Sequence, residues 1–393
     1  MNIKELIQYI QSANINFMIG SGASKPYLAT LGSIEEWLTK LTEDKKSNRK
    51  EYTIVEASIY KAFYESVIRP NRFPSGSNFE TTVKNYRALL TAWNGIMNKR
   101  YSRLLNKQVN LFSTNVDLMI EQASSGMGIE LNDGFKGSVE QIYDESNFMQ
   151  TVNQTSLHFE YTSEIPVFNL LKIHGSINWA PTGVNGIKNN INWSNMIDGA
   201  LEKISTDQFV NIYYTDDTTG DKRLKTYDQL VSEAKKLNII DTHIYSSFLD
   251  AYRNLIIINP TKRKFELTVI DYHFYELMRI FANALEKENT ILFVIGFSFA
   301  DEHIASITKR AAESNPTLHI IIFAFKDEEE ASFKEKLGIT SVCLNNNITI
   351  LTPSNFKNAN QDDATKELVN SLQQFDIETI AKIFTYVENN IHG

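Results

Sequence analysis

Three short motifs carry residue types that do chemistry, and they follow one another in a fixed order. They are Gly20-Ser21-Gly22-Ala23-Ser24, Ser113-Thr114-Asn115-Val116-Asp117 and Lys172-Ile173-His174-Gly175-Ser176. Glycines let a backbone turn sharply and approach a pyrophosphate, whose charge the N-terminus of a following helix favours. The Asn115 amide can hold a sugar hydroxyl or position a water, and the Asp117 carboxylate can orient that amide or stabilise positive charge. Histidine as a residue type titrates near neutrality, so His174 can exchange a proton with a sugar hydroxyl. Breaking a glycosidic bond passes through an oxocarbenium-like state, which needs a polar pocket beneath the sugar. Together these are the parts required to hold a dinucleotide and cut it. A fourth stretch, Gly296-Phe297-Ser298-Phe299-Ala300-Asp301-Glu302-His303, can line the adenine-ribose side through Gly296, Phe297 and Ser298.

Each motif also has a plain structural reading. The glycines suit any tight strand-to-helix turn and lack the full G-x-G-x-x-G pattern. Asn115 and Asp117 suit an Asx-turn and a helix cap for 118–123. A strand-end His can simply bond a neighbouring carbonyl, and Ser298 or Asp301 can merely cap the next helix. The elements around the motifs decide between these readings. Each motif follows a short apolar run: 16–19, 109–114, 168–173 and 290–295. Further strands are expected at 255–258, 318–323 and 348–351. Helical periodicity marks 3–13, 54–68, 79–105, 271–287 and 301–312, with Ser33 and Glu36 as a capping box for another helix. Apolar strands without period-2 alternation, interleaved with helices, indicate a parallel sheet covered on both faces. The fold class is therefore α/β, a doubly wound Rossmann-like sheet, and ligands bind at the carboxyl ends of its strands, where the motifs sit. The expected organisation is one dinucleotide-binding domain over 1–355, helical insertions at about 45–105 and 180–250, and a helical tail at 356–393.

Composition excludes several classes. The 393-residue chain carries a net charge of −8, so direct binding of nucleic acid is not expected. The basic runs at Lys45-Lys46 to Arg49-Lys50 and at Lys262-Arg263-Lys264 read as solvated surface. The single cysteine, Cys343, makes neither a disulfide nor a cysteine-based zinc site, and reads as a buried thiol. The other six histidines (His158, His243, His273, His303, His319 and His392) show no metal-ligand spacing, so no metal is expected. No signal peptide and no membrane-length apolar run is present, which predicts a cytoplasmic protein. Signatures of serine hydrolases, P-loop ATPases, zinc proteases and kinases are lacking.

The motifs resemble those of the sirtuin family. More closely, Thr114 to Asp117, Lys172 to Trp179 and Gly296 to His303 are similar to the sirtuin-like domains of bacterial antiphage defence proteins. The resemblance covers roughly 10–125, 165–180 and 253–355. It implies NAD+ as substrate, with Asn115 and His174 as the catalytic pair and Asp117 supporting them. It implies that Gly20, Ser21, Gly22, Ala23 and Ser24 cradle the pyrophosphate. Protein-deacetylating sirtuins usually insert a four-cysteine zinc module after the His motif, whereas residues 180–250 contain no cysteine. Their Phe-Gly-Glu segment, which helps bind acyl-lysine peptide, is replaced here by Ile258-Asn259-Pro260. Water is then the expected acceptor, and the implied activity is NAD+ hydrolysis by a defence effector that depletes the cofactor. The resemblance further implies a homo-oligomer and a HerA-type hexameric DNA translocase as partner. Unassigned apolar faces in 45–105 and the tail would serve oligomerisation. The alternatives are a sensor that binds NAD+ or a derived nucleotide without turnover, and a zinc-free deacylase.

Overall fold

The computed structural model describes residues 1–28, 34–44, 49–100, 105–158, 160–183, 186–216, 221–258, 272–339 and 345–391. The Ser33 cap, Lys45-Lys46, Asn259-Pro260, the run at 262–264, the helix start at 271, Cys343 and His392 lie outside the described residues.

The apolar runs form the strands of one all-parallel sheet. These are β1 (Asn14–Ile19), β2 (Gln108–Ser113), β3 (Glu130–Asn132), β4 (Val167–Lys172), β5 (Thr290–Ile295), β6 (Leu318–Phe323) and β7 (Ile348–Leu351). Their spatial order is β7-β6-β5-β1-β2-β4-β3. The chain leaves β1 toward β2 on one side and later returns to place β5 on the other. Connections leaving the carboxyl ends of these neighbours diverge, and a crevice opens there.

Helices cover both faces because successive strand side chains point to opposite sides. Phe17 of β1 faces a cluster built with α1 (Ile3–Ser12), α2 (Ser77–Lys99) and α5 (Ile377–Asn390), while Met18 faces one built with α3 (Tyr272–Glu286) and α4 (Glu302–Ser314). On the first face Phe384 of α5 lies 4.8 Å from Trp93 of α2 and 5.2 Å from Phe293 of β5, measured between ring centroids. The apolar faces left unassigned by the sequence at 79–105 and in the tail thus bury each other over the sheet. Phe384→Ala is expected to cost about 3–5 kcal/mol in unfolding free energy, measured by denaturant titration, because it empties the centre of this cluster.

An asparagine ladder crosses the sheet, buried at Asn16 and Asn169 and half-buried at Asn110 and Asn132. Asn132, Asn169, Asn110 and Asn16 stand side by side in register on β3, β4, β2 and β1. The Asn132 amide donates to Asn169 Oδ1 (2.9 Å), Asn169 to Asn110 Oδ1 (3.0 Å), and Asn110 to Asn16 Oδ1 (2.9 Å). Slippage of any strand by one residue would bury amides without partners, at about 1–3 kcal/mol each, so the ladder pins the register.

A second helical unit stands beside the sheet. Residues 34–44 and 49–72 pack on Asn195–Leu201, Tyr227–Lys236 and Ser246–Arg253, tied by an ion pair between Arg72 and Asp198 and by Val210 N donating to Ser58 Oγ (2.9 Å). The stretch 255–258, expected as a strand, is not one. Only Ile257 forms an isolated antiparallel bridge, and its partner is Gly175 in the loop after β4. Residues 135–189 contribute a small antiparallel sheet of four short strands. Among the described residues no helix is long and apolar enough to cross a membrane.

Candidate functional site

The loops leaving β1 and β5 meet at the crevice in direct backbone contact. Gly20 N donates to Ile295 O and Gly22 N to Gly296 O, both at 3.0 Å. A Cβ on Gly20 would fall 2.5 Å from Gly296 O, and one on Gly296 would fall 2.3 Å from Ala23 N. Gly296 also has φ +61°, in the left-handed region that side chains disfavour. These glycines are thus explained by loop-on-loop packing, which in turn presents Ser21, Gly22, Ala23 and Ser24 at the crevice floor.

Asn115, at the end of β2, is buried under this contact. Its Nδ2 donates to Gly20 O (3.1 Å) and to Ser24 Oγ (3.2 Å). Those acceptors settle the orientation of the amide, because its nitrogen must face them. Its Oδ1 is buried and has no hydrogen-bond partner among the described residues. Ser24 Oγ donates in turn to Asp117 Oδ2 (2.7 Å), and Tyr86 Oη lies 3.3 Å from the same hydroxyl. Burial, reinforced by the Asp117 charge, holds the Tyr86 phenol well above its ordinary pKa, so it serves as a neutral partner. The other Asp117 oxygen accepts from Met119 N (3.1 Å), which makes the expected Asx-turn, whereas the helix Met119–Ser124 has Leu118 at its N-cap and no side-chain cap.

Behind this network Lys172 is buried at the end of β4. Its ammonium bonds the Asp117 carbonyl and pairs with Glu121 at 3.2 Å. Burial raises the Glu121 carboxyl above its usual pKa, and Lys172 pulls it back down. Lys172→Met is expected to destabilise the fold by about 2–3 kcal/mol in a denaturant titration. That is below the cost of breaking a fully buried pair, because Glu121 keeps some contact with water.

His174 follows β4 and is 9% exposed. Its Nε2 lies 3.1 Å from Asp301 Oδ2. Its carbonyl accepts from Ile258 N (2.9 Å), and Gly175 at φ +76° lets the segment 256–258 pass where a Cβ would strike Ile256 O at 2.1 Å. The stretch expected as a strand therefore acts as a clamp on the His motif.

The four strand ends surround a cavity of about 520 Å³, within the usual range of roughly 300–1,000 Å³ for small-molecule sites. Ser21, Gly22, Ala23, Ser24, Asn115, Asp117, His174, Gly296, Phe297 and Ser298 all line it, whereas Gly20 lies just beneath. The sequence reading of the site omitted Asp301, Lys172 and Tyr86. Asp301 had been read only as a cap, and Lys172 stood within a quoted motif, so both were visible without their partners. Tyr86 lay on a helix with nothing to distinguish it. The far end of the cavity is closed by Phe325, Glu329, Lys336 and Phe375 to Ile377, with Lys336 Nζ donating to Ser298 O (3.0 Å). Among the described residues no group of three or more His, Cys, Asp or Glu could hold a metal ion.

A family model described as SIR2-like domain matches residues 109–342, more than half of the chain. The matched span holds Asn115, Asp117, His174 and Gly296 to Ser298. The glycine loop at 20–24 lies outside it and joins the site through its contact with Gly296. No curated protein matches the chain in sequence. Among similar solved structures is a Sir2 with a histidine-to-alanine substitution, described with deacetylated p53 peptide and 3′-O-acetyl ADP ribose. It is 11% identical, with a TM-score of 0.39 over 100% of both chains. A second, described as the structural basis for sirtuin substrate affinity, is 10% identical with a TM-score of 0.31, covering 82% of this chain and 86% of that one.

Proposed function

The chain belongs to the SIR2-like domain family, and on that premise we propose that it hydrolyses NAD+ at the bond between nicotinamide and ribose. The pyrophosphate lies on the loop of Gly20 to Ser24, the adenine ribose against Gly296, Phe297 and Ser298, and the nicotinamide ribose over Asn115 and His174. The C1′–N bond breaks with its electron pair leaving on nicotinamide, and positive charge develops across C1′ and the ring oxygen. Asp117 lies behind Asn115 and Ser24, where its negative field opposes that charge. Asn115 Oδ1 accepts from the attacking water or a ribose hydroxyl, and His174 takes a ribose proton. Water then forms the new C1′–O bond and releases one proton to solvent, while His174 returns its proton to the ribose oxygen, so the products are ADP-ribose, nicotinamide and one proton.

One observation carries this reading. The Asn115 amide donates both of its hydrogen bonds from the nitrogen and keeps a buried acceptor without a partner among the described residues, beside the cavity that His174 lines. A buried polar atom left unpaired costs about 1–3 kcal/mol, so its retention suits a site whose missing partner is a ligand or water. The test is nicotinamide release from NAD+ by the purified protein, with and without an acyl-lysine peptide. Release without peptide supports hydrolysis, and release only with peptide favours deacylation. NAD+ binding without release favours a sensor.

The proposal extends to biology. Unrestrained hydrolysis would drain a cell of NAD+, so the enzyme acts in the cytoplasm as an antiphage effector held in check by homo-oligomerisation and by a HerA-type hexameric translocase. The similarity of Thr114 to Asp117, Lys172 to Trp179 and Gly296 to His303 to antiphage sirtuin-like motifs supports it.

A further inference from the structure

Asp301 does two jobs with its two carboxylate oxygens. Oδ1 accepts from His303 N (3.0 Å) and Ile304 N (3.2 Å), capping the 13-residue helix α4. Oδ2 lies 3.1 Å from His174 Nε2, and both side chains are buried. The cap fixes the plane of the carboxylate, so the second oxygen is aimed and cannot swing away. The loop that delivers it is unusual in backbone. Gly296 has φ +61°, and Phe299, a bulky residue, has φ +54° while its ring is buried against Phe297 and Phe333. A left-handed phenylalanine is a strained choice, held only where the surrounding packing over-determines it.

An ionised carboxylate can only accept, so the nitrogen facing it must carry the hydrogen. A neutral imidazole with hydrogen on Nε2 keeps its lone pair on Nδ1. We propose that Asp301 is a positioning residue, which holds His174 as the Nε2–H tautomer and makes Nδ1 the nitrogen that takes the substrate proton. In that step the ribose O–H bond breaks, an Nδ1–H bond forms, and the resulting imidazolium is paired with the Asp301 carboxylate. Asp301 lines the same cavity, and in this assignment it acts through His174. The assignment rests on the reading of His174 as proton acceptor.

The decisive variant is Asp301→Asn. Asparagine caps helices as well as aspartate, so α4 and the fold are kept. Its single oxygen is drawn to the cap, and its amide nitrogen then faces Nε2, favouring hydrogen on Nδ1 instead. A comparable carboxylate-to-amide exchange behind the histidine of serine proteases lowers kcat by roughly 10⁴ through the wrong tautomer. The expected result here is a fall in kcat for nicotinamide release of about 10²- to 10⁴-fold, with KM for NAD+ within about threefold. In a His174→Ala background the same exchange should have no further effect. Imidazole ¹⁵N NMR of histidine-labelled protein, assigned with His174→Ala, should show hydrogen on Nε2 in the wild type and on Nδ1 in Asp301→Asn.

The NMR measurement needs no turnover. If the wild type releases no nicotinamide, the hydrolase reading fails while the tautomer assignment is still tested. A wild-type His174 carrying its hydrogen on Nδ1 would overturn the proposal. So would an Asp301→Asn enzyme at full rate, or an equal loss in the His174→Ala background.

Discussion

His174→Ala and Asn115→Ala are each expected to lower the rate of nicotinamide release from NAD+ by about 10²- to 10⁴-fold, while the purified proteins keep their cooperative unfolding transitions. A positioned general base contributes about that factor, and removal of one preorganised polar contact to the reacting centre costs about 10²–10³. The two variants should differ in stability. The His174 ring reaches Asp301 Oδ2 at 3.1 Å, whereas the Asn115 amide bonds Gly20 O and Ser24 Oγ at the loop junction. Asn115→Ala removes those donors but also removes the unpaired Oδ1, so the net loss should be small, about 1 kcal/mol. On the proposed reading Asn115 and His174 act on one sugar, so the double variant should be little slower than the slower single one. The measurements are single-turnover release of nicotinamide and denaturant titration. Full activity in either variant would sink the hydrolytic assignment.

Gly296→Ala is expected to damage the crevice floor directly. It forces a side chain into φ +61° and places the Cβ 2.3 Å from Ala23 N, a backbone atom that cannot rotate away. The left-handed conformation costs about 1–2 kcal/mol, and overpacking adds roughly 1–3. The loops after β1 and β5 would part, and the crevice floor would lose its geometry. Calorimetry should show NAD+ affinity reduced at least about tenfold, because loop packing and ligand contact share these atoms. Gly126→Ala supplies the comparison. Gly126 has a similar φ of +76° but open space around its Cβ, so it should show the conformational cost alone. Equal losses in the two variants would show that the loop junction plays no part.

Much of the fold was legible because its signal is local. Unbroken apolar runs such as Thr290–Ile295 and Leu318–Phe323 mark parallel strands wherever they occur, and the rule that ligands bind at carboxyl ends located the motifs. The order of glycine turn, Asn/Asp pair and His placed them on neighbouring strands of one sheet. The same local signal misled at 255–258, where an apolar run of strand composition lies across the loop at Gly175 instead of joining the sheet. Composition sets what a segment can do, and its neighbours set what it does.

Chain order and residue type by themselves determined the α/β class and the ends of the central strands that carry the motifs. Tertiary structure alone decided the pairings across long separations. Asp301 read correctly as a helix cap, but its second oxygen finds His174 at a distance of 127 residues along the chain. The asparagines at 16, 110, 132 and 169 each look misplaced in an apolar strand until register aligns them into a ladder. The faces of α2 and α5, unassigned in the sequence, satisfy one another over β1 and β5. The physical reason is common to all three. Periodicity and capping are written within a few residues, whereas a hydrogen bond or a buried ring acquires its partner only when the sheet closes.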